Sequence, residues 1–178
     1  MKKIITIFAV IMAATLLLTS LVFSQYPHEK AKGKDSVLYI DGEGIYNLSD
    51  LRGEQYDGKI GHFTLEGKTY FALVNNSYDP SILSFKVYVP EDFVLYGSED
   101  LQNVYEVDYS NSSYNSSGYH LVLPTDLSPR HKTSGYVLFI FHTLPYEIAP
   151  DDPEVELVKG QLADGTIPFS LEPPEAAA

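Results

Sequence analysis

The most apolar run outside the N-terminal region is Gly135–His142, and the other segments must be arranged around it. The run is too short for a helix of ordinary length, it is rich in aromatic and β-branched residues, and loop-forming residues bound it on both sides. Because both of its alternating faces are apolar, it predicts a strand with little solvent on either face. We therefore expect it to be the central strand of a β-sandwich.

Short strand-like segments follow one another along the chain, and no helical period of any length interrupts them. The predicted strands are residues 36–40, 60–65, 68–75, 82–89, 93–96, 103–109, 119–123, 135–142, 155–162 and 166–171. We expect the last two to form a hairpin that turns at Asp164-Gly165. The pattern predicts an all-β fold, an antiparallel sandwich over residues 36–171, followed by a frayed tail at 172–178.

The clearest local signal is a hairpin in which Ile60–Leu65 and Lys68–Asn75 turn at Glu66-Gly67. Residues 45–58 have no clean period and are expected to form a loop with one turn. The apolar residues predicted to face the core are Phe63, Phe85, Val87, Val107, Leu121, Val137, Phe139 and Phe141.

The N-terminal segment Met1–Ser24 has the composition of an export signal, with two lysines followed by the uncharged run Ile4–Phe23. One interpretation is a signal peptide that is cleaved before Gln25. The other is an uncleaved anchor, because the run is long enough to span a bilayer. Both place the remainder of the chain outside the cytoplasm, extracellular or at the cell surface. Residues 25–35 are polar and lysine-rich, and we expect them to form a flexible tether.

The chain is strongly acidic and contains no cysteine. Its formal charge is −12, and loss of the two lysines of Met1–Ser24 would lower that to −14. Such a surface repels nucleic acid and anionic lipid, so we expect no nucleic-acid partner, and membrane contact only where the N-terminal segment is retained. The absence of cysteine excludes disulfides, thiolate zinc sites, a cysteine nucleophile and an acylated lipoprotein cysteine.

Over about half of the chain, short motifs occur in a recognisable order. They are Gly67-Lys68, Val74-Asn75-Asn76-Ser77, Asp79-Pro80, Asp92-Phe93-Val94-Leu95, Tyr105, Leu127-Ser128-Pro129, Ser134-Gly135-Tyr136-Val137-Leu138-Phe139 and Leu144-Pro145-Tyr146-Glu147. This order resembles the telokin-like, immunoprotective-type extracellular immunoglobulin-like domains of secreted bacterial and archaeal proteins. The resemblance implies an immunoglobulin-like sandwich that is extracellular and non-catalytic, with no catalytic residues to carry over. The chain departs from the family at Pro129-Arg130-His131, where Pro-Gly-Glu is usual.

Four of the six asparagines stand in Asn-x-Ser sequons, which accept N-linked glycans in exported proteins. They are Asn47, Asn75, Asn111 and Asn115. The alternative is that asparagine and serine simply occur together in turns.

The acidic residues Asp151, Asp152 and Glu154 supply oxygen ligands of the kind that Ca²⁺ prefers. Their spacing matches no established calcium loop, so a solvated acidic loop is the alternative, and no other cofactor is predicted.

No nucleophile motif or cofactor fingerprint is present, so we predict no enzyme activity. The competing hypothesis is a secreted hydrolase that uses carboxylates or histidines on strands. Its candidate residues are Glu106, Asp108, His62, His120 and His142.

These features favour an exported binding or accessory module of the cell envelope, which meets a protein or glycan through loops such as 110–118 and 125–134. The alternative is a subunit of an extracellular filament or lattice, assembled from copies of this chain and bridged by Ca²⁺. Its subunits would be joined by strand addition through Val37, Leu38, Tyr39 and Ile40.

Overall fold

A computed structural model describes residues 36–76, 85–110, 112–114, 117–124 and 136–174. Its strands are β1 (Leu38–Ile40), β2 (Glu43–Ile45), β3 (Ile60–Leu65), β4 (Lys68–Asn75), β5 (Val87–Pro90), β6 (Tyr96–Ser98), β7 (Val104–Glu106), β8 (Ser113–Tyr114), β9 (Tyr119–Val122) and β10 (Val137–Leu144). Two 3-10 helices cover Leu48–Arg52 and Glu54–Tyr56, and one α-helix, α1, covers Pro153–Ala163. The export segment and tether predicted for residues 1–35 lie outside the described residues. In the part of the chain that is described, no helix is long and apolar enough to cross a membrane.

The strands form two antiparallel sheets. The larger has seven strands in the order β2-β1-β3-β4-β10-β6-β7, and the smaller has the order β5-β9-β8. β10 lies in the interior of the larger sheet between β4 and β6, which confirms the prediction of a buried strand in this part of the chain. The described residues therefore form a mostly antiparallel β fold with one short helix.

The predicted hairpin is confirmed with its bounds, as β3 and β4. Its turn residues Glu66 and Gly67 have φ angles of 51° and 79°, and a two-residue hairpin turn of type I′ requires this left-handed conformation at both positions. The cross-strand partners Leu65 and Lys68 close the turn. Local sequence was sufficient here because the turn is specified by the two residues that form it.

Two hydrophobic clusters cover the two faces of the larger sheet. The first cluster contains residues of both sheets and of α1, including Phe71, Leu73, Val87, Val89, Val107, Val122, Val137, Phe139, Phe141 and Val158. The second lies on the opposite face beneath the first 3-10 helix and includes Leu38, Ile40, Leu51, Phe63, Val74, Leu101, Leu138 and Ile140. The larger sheet is therefore buried on both sides, which explains why β10 is apolar on both of its faces.

Six of the eight predicted core residues are buried, and the two exceptions are Phe85 and Leu121. Phe85 is partly buried against the first cluster, and the other six predicted residues belong to the two clusters. Leu121 is only half-buried, because the register pairs Val122 with inward-facing Val87 and turns Leu121 to the other face. Val122, fully buried, occupies the core position instead.

A β-bulge interrupts β10. The strand pairs Ile140 with Ala72 and then His142 with Phe71, which leaves Phe141 without a partner on β4. Such an extra residue shifts the alternation of side chains by one position. As a result, the consecutive residues Phe141 and His142 lie on the same face of the sheet. Phe141 belongs to the first cluster, and the His142 ring lies next to Phe71 of that cluster.

The predicted C-terminal hairpin is wrong, because its first strand, residues 155–162, is part of α1. The Asp152 carboxylate caps this helix by accepting the Glu154 N–H, and Pro153 occupies its first turn. Gly165, predicted as a hairpin turn, follows the helix end with φ 81°. Of residues 166–171, Ser170 forms an isolated bridge with Tyr88 of β5, and the rest form no strand. The predicted acidic loop 149–154 therefore ends in the first turn of a helix.

Other predicted boundaries shift by a few residues. The first strand begins at Leu38, and the segment expected to be a loop at 45–58 contains the two 3-10 helices. The strands predicted at 93–96 and 103–109 become β6 and β7, which are shorter and begin later. The strand predicted at 82–89 becomes β5, which begins later, at Val87, and ends at Pro90. The first three residues of that prediction belong to residues 77–84, which lie outside the described part of the chain.

Candidate functional site

A cleft of about 630 Å³ lies where the end of β7 meets the turn after β5 and one residue of β9. We call it the acidic cleft. Its described lining residues are Glu91, Asp92, Phe93, Val94, Glu106, Val107, Asp108, Tyr109, Ser110 and His120. Four of these are carboxylates, and no lysine or arginine is among them. The cleft therefore combines negative charge with an apolar surface.

Backbone hydrogen bonds hold the segments of the cleft in place. The Phe93 N–H donates to the Pro90 carbonyl at 3.1 Å and closes the turn after β5. The Val107 N–H donates to the Leu95 carbonyl at 2.8 Å and extends the pairing of β6 and β7 into the cleft. The cleft is thus built on segments fixed by the sheets.

Tyr109 is a buried side chain of the acidic cleft whose hydroxyl lies near carboxylates. It is only 9% exposed, and burial raises the pKa of its hydroxyl, with further contributions from the charges of Glu106 and Asp92. These two carboxylates therefore lie close enough to the hydroxyl to act on it electrostatically. The hydroxyl keeps its proton at neutral pH and remains a hydrogen-bond donor.

His120 and Asp108 complete the cleft. The His120 ring packs edge-on against Tyr109 with 5.2 Å between centroids, and its Nδ1 lies 3.4 Å from the Ser112 hydroxyl. The Asp108 carboxylate accepts hydrogen bonds from the Ser110 hydroxyl and N–H, at 2.6 and 3.2 Å, and these bonds lower its pKa. Asp108 therefore remains ionised and contributes to the negative charge of the cleft.

A second polar feature, which we call the histidine row, crosses four strands of the larger sheet. It consists of Tyr39, His62, Phe71 and His142, which are cross-strand partners on β1, β3, β4 and β10. Adjacent ring centroids are 5.7, 5.8 and 5.7 Å apart. The Phe71 ring stands between the two imidazoles, so they do not contact each other.

Burial lowers the pKa of both histidines in the row. His62 is 3% exposed, and its Nε2 is buried without a hydrogen-bond partner in the described structure. The charge of Lys159 lowers its pKa further, while the Ala149 carbonyl and the charge of Asp152 partly offset the shift. These groups belong to α1 and the segment before it, so the row lies beneath this part of the chain.

An ion-pair network links α1 to the turn between β1 and β2. The Asp41 carboxylate lies 3.2 Å from both Lys59 and Lys159, and Lys159 also pairs with Glu156 at 3.0 Å. The hydrogen bonds from the two lysines lower the pKa of Asp41. Because Asp41 is about half exposed, solvent screens these pairs and they contribute little to stability.

The five candidate residues of the hydrolase hypothesis fall into two separate groups. Glu106, Asp108 and His120 line the acidic cleft, whereas His62 and His142 belong to the histidine row. In the cleft, the Asp108 carboxylate accepts hydrogen bonds from Ser110. The five residues therefore do not form a single site.

The three predicted calcium ligands have different surroundings in the structure. Asp151 and Asp152 line a cleft of about 360 Å³ beside Lys159, and Glu154 is not among the residues that line it. The Asp152 carboxylate is already used as the cap of α1. Among the described residues, no group of three histidine or acidic side chains is arranged to hold a metal ion.

The two sequon asparagines that the structure describes differ in accessibility. Asn47 is exposed and caps the first 3-10 helix, with Oδ1 accepting from the Ser49 N–H and hydroxyl. Asn75 is fully buried at the end of β4, where the folded protein has no room for a glycan. Asn111 and Asn115 lie outside the described residues.

The predicted strand donor lies within the protein's own larger sheet. Leu38–Ile40 form β1, which pairs with β2 on one side and β3 on the other. Val37 precedes the strand and is half-buried. Strand addition to a neighbouring subunit through these residues would first require β1 to leave both partners.

Sequence reasoning did not identify Tyr109, Asp92 and Glu91 as functional residues. The alternation of Tyr105, Val107 and Tyr109 with acidic residues predicts one buried and one exposed face, and Val107 and Tyr109 are indeed buried. No spacing in the sequence indicates that this segment meets the turn after β5. That contact depends on how the two sheets come together.

Comparison of the chain with protein-family models, with curated proteins and with solved structures finds no match.

Proposed function

We propose that this protein is an exported, non-catalytic module of the cell envelope, which binds a protein or glycan partner at the cell surface through the acidic cleft. The export segment Met1–Ser24 supports the location. The cluster shared by the two antiparallel sheets supports an immunoglobulin-like sandwich as its fold. The observation that carries the proposal is the cleft itself, in which charged and apolar groups meet at the junction of the sheets.

A binding role fits the acidic cleft better than catalysis does. General acid–base chemistry needs two groups that can exchange protons with one substrate. Asp108 is hydrogen-bonded to Ser110 and stays ionised, and the two histidines of the row are separated by Phe71. The secreted hydrolase is therefore the weaker hypothesis.

The filament alternative finds less support in the arrangement of β1. Both edges of this strand are occupied within its own sheet, whereas a strand donor must offer free backbone groups to a neighbour. Regular polymers in electron micrographs of the exported protein would nevertheless favour the filament over the module.

The proposal is tested with the full chain expressed in cells of its source. Fractionation should recover the protein at the cell surface or in the medium, and labelled protein should bind to cells that lack its gene. The variant Asp92→Asn/Glu106→Gln should lose this binding, whereas Glu43→Gln/Glu172→Gln, which removes the same charge outside the cleft, should retain it. Recovery in the cytoplasm, or equal binding by both variants, would refute the proposal.

A further inference from the structure

We propose that the acidic cleft binds an extended, lysine-bearing peptide segment of a protein partner. This inference rests on the proposed function and names its ligand. Four carboxylates line the cleft, and none of its described lining residues is a lysine or an arginine. Such a surface attracts cations and repels anionic ligands.

The ligand is an organic cation, because the cleft is not built to hold a bare metal ion. Calcium needs several oxygens that converge on one point at short range, and no metal-holding group of three side chains occurs among the described residues. The cleft also presents apolar groups from Phe93, Val94 and Val107, and Val94 is 45% exposed. A lysine side chain matches both properties, with a charged head on a four-carbon stem that lies against apolar surface.

Tyr109 indicates that the cation is carried by a peptide. The residue is nine-tenths buried and lines the cleft, and within the described part of the chain its hydroxyl makes no hydrogen bond. Burial, and after it the charges of Glu106 and Asp92, raise the pKa of that hydroxyl, so it is protonated at neutral pH and offers a donor. A peptide carbonyl supplies the matching acceptor, which a polyamine lacks.

The test titrates the full chain with a labelled peptide, Ala-Lys-Ala-Lys-Ala-Lys blocked at both ends. An extended peptide of this sequence presents its lysines on one side. We expect saturable binding that is lost in about 1 M salt, where the Debye length falls to about 3 Å, and no binding of the same peptide with glutamine in place of lysine. The variant Asp92→Asn/Glu106→Gln should weaken binding by about tenfold. The control Glu43→Gln/Glu172→Gln should leave it unchanged.

Tyr109→Phe separates a peptide ligand from a polyamine. The variant keeps the buried ring and removes only the hydroxyl. It should lower the affinity for the lysine peptide several-fold and leave the affinity for spermidine unchanged. The inference would be overturned if Tyr109→Phe lowered the affinity for both ligands equally. It would also be overturned if the cleft variant and the control variant lowered the affinity for the lysine peptide equally. Failure of the peptide alone, with cell binding still dependent on Asp92 and Glu106, would refute the inference and leave the proposed function standing. Circular dichroism verifies that each variant is folded.

Discussion

Replacement of His62 should remove part of the pH dependence of stability. Burial lowers the pKa of His62 in the folded protein below its ordinary value of 6.5, so the unfolded chain binds a proton more readily than the folded one. The stabilisation that comes from keeping His62 neutral is therefore fully present above about pH 6.5. It is lost as the pH falls below that value, and the loss ends once the pH has also passed the lower pKa of the folded protein.

The size of the effect follows from proton linkage. One histidine that stays neutral in the folded protein changes the free energy of unfolding by at most about 1.4 kcal/mol per pH unit. Between about pH 7.5 and pH 5.5 this amounts to at most about 1.4 kcal/mol. This change in the free energy of unfolding is large enough to measure. The His62 ring is 3% exposed and lies beneath the segment before α1, so a proton on it would receive little hydration in the folded protein. His142 acts in the same direction, so the wild-type slope contains both residues.

The substitution to test is His62→Phe, which keeps an aromatic ring between Tyr39 and Phe71 and removes the titrating group. Urea unfolding is followed by circular dichroism or tyrosine fluorescence, since the chain contains no tryptophan. The variant should show a shallower loss of stability from pH 7.5 to 5.5 than wild type. Leu138→Ala is the matched control, because Leu138 is buried in the second cluster on the opposite face of the sheet, so its truncation should lower stability at every pH and leave the slope unchanged. Parallel curves for wild type and His62→Phe would refute the reasoning.

Two further substitutions test the fold. Asp152→Ala removes the cap of α1 and should lower the free energy of unfolding by about 1 kcal/mol in urea denaturation. Asp151→Ala removes an exposed neighbouring carboxylate and should have little effect. Equal losses in the two variants would contradict the capping role. Gly61→Ala should cost about 1–3 kcal/mol, because the added methyl would lie 2.9 Å from the backbone oxygen of Tyr39. A melting temperature equal to that of wild type would contradict this close packing of β1 and β3.

Local residues determined those parts of the fold whose geometry they themselves form. The turn between β3 and β4 follows from Glu66-Gly67, and the interior position of β10 follows from a run that is apolar on both faces. The identity of α1 was also encoded locally, by Asp152 as cap and Pro153 in the first turn. The strand prediction for residues 155–162 gave too little weight to these two signals.

The tertiary structure alone decided the candidate sites, because they join residues that are distant along the chain. The acidic cleft combines Asp92, Tyr109 and His120, and the histidine row combines residues of four strands. The bulge at Phe141 adds one residue to β10 and turns His142 to the face of Phe71, a change that no alternation pattern predicts. A sequence can thus specify its own turns and buried strands, whereas strand register and sheet packing determine which side chains meet.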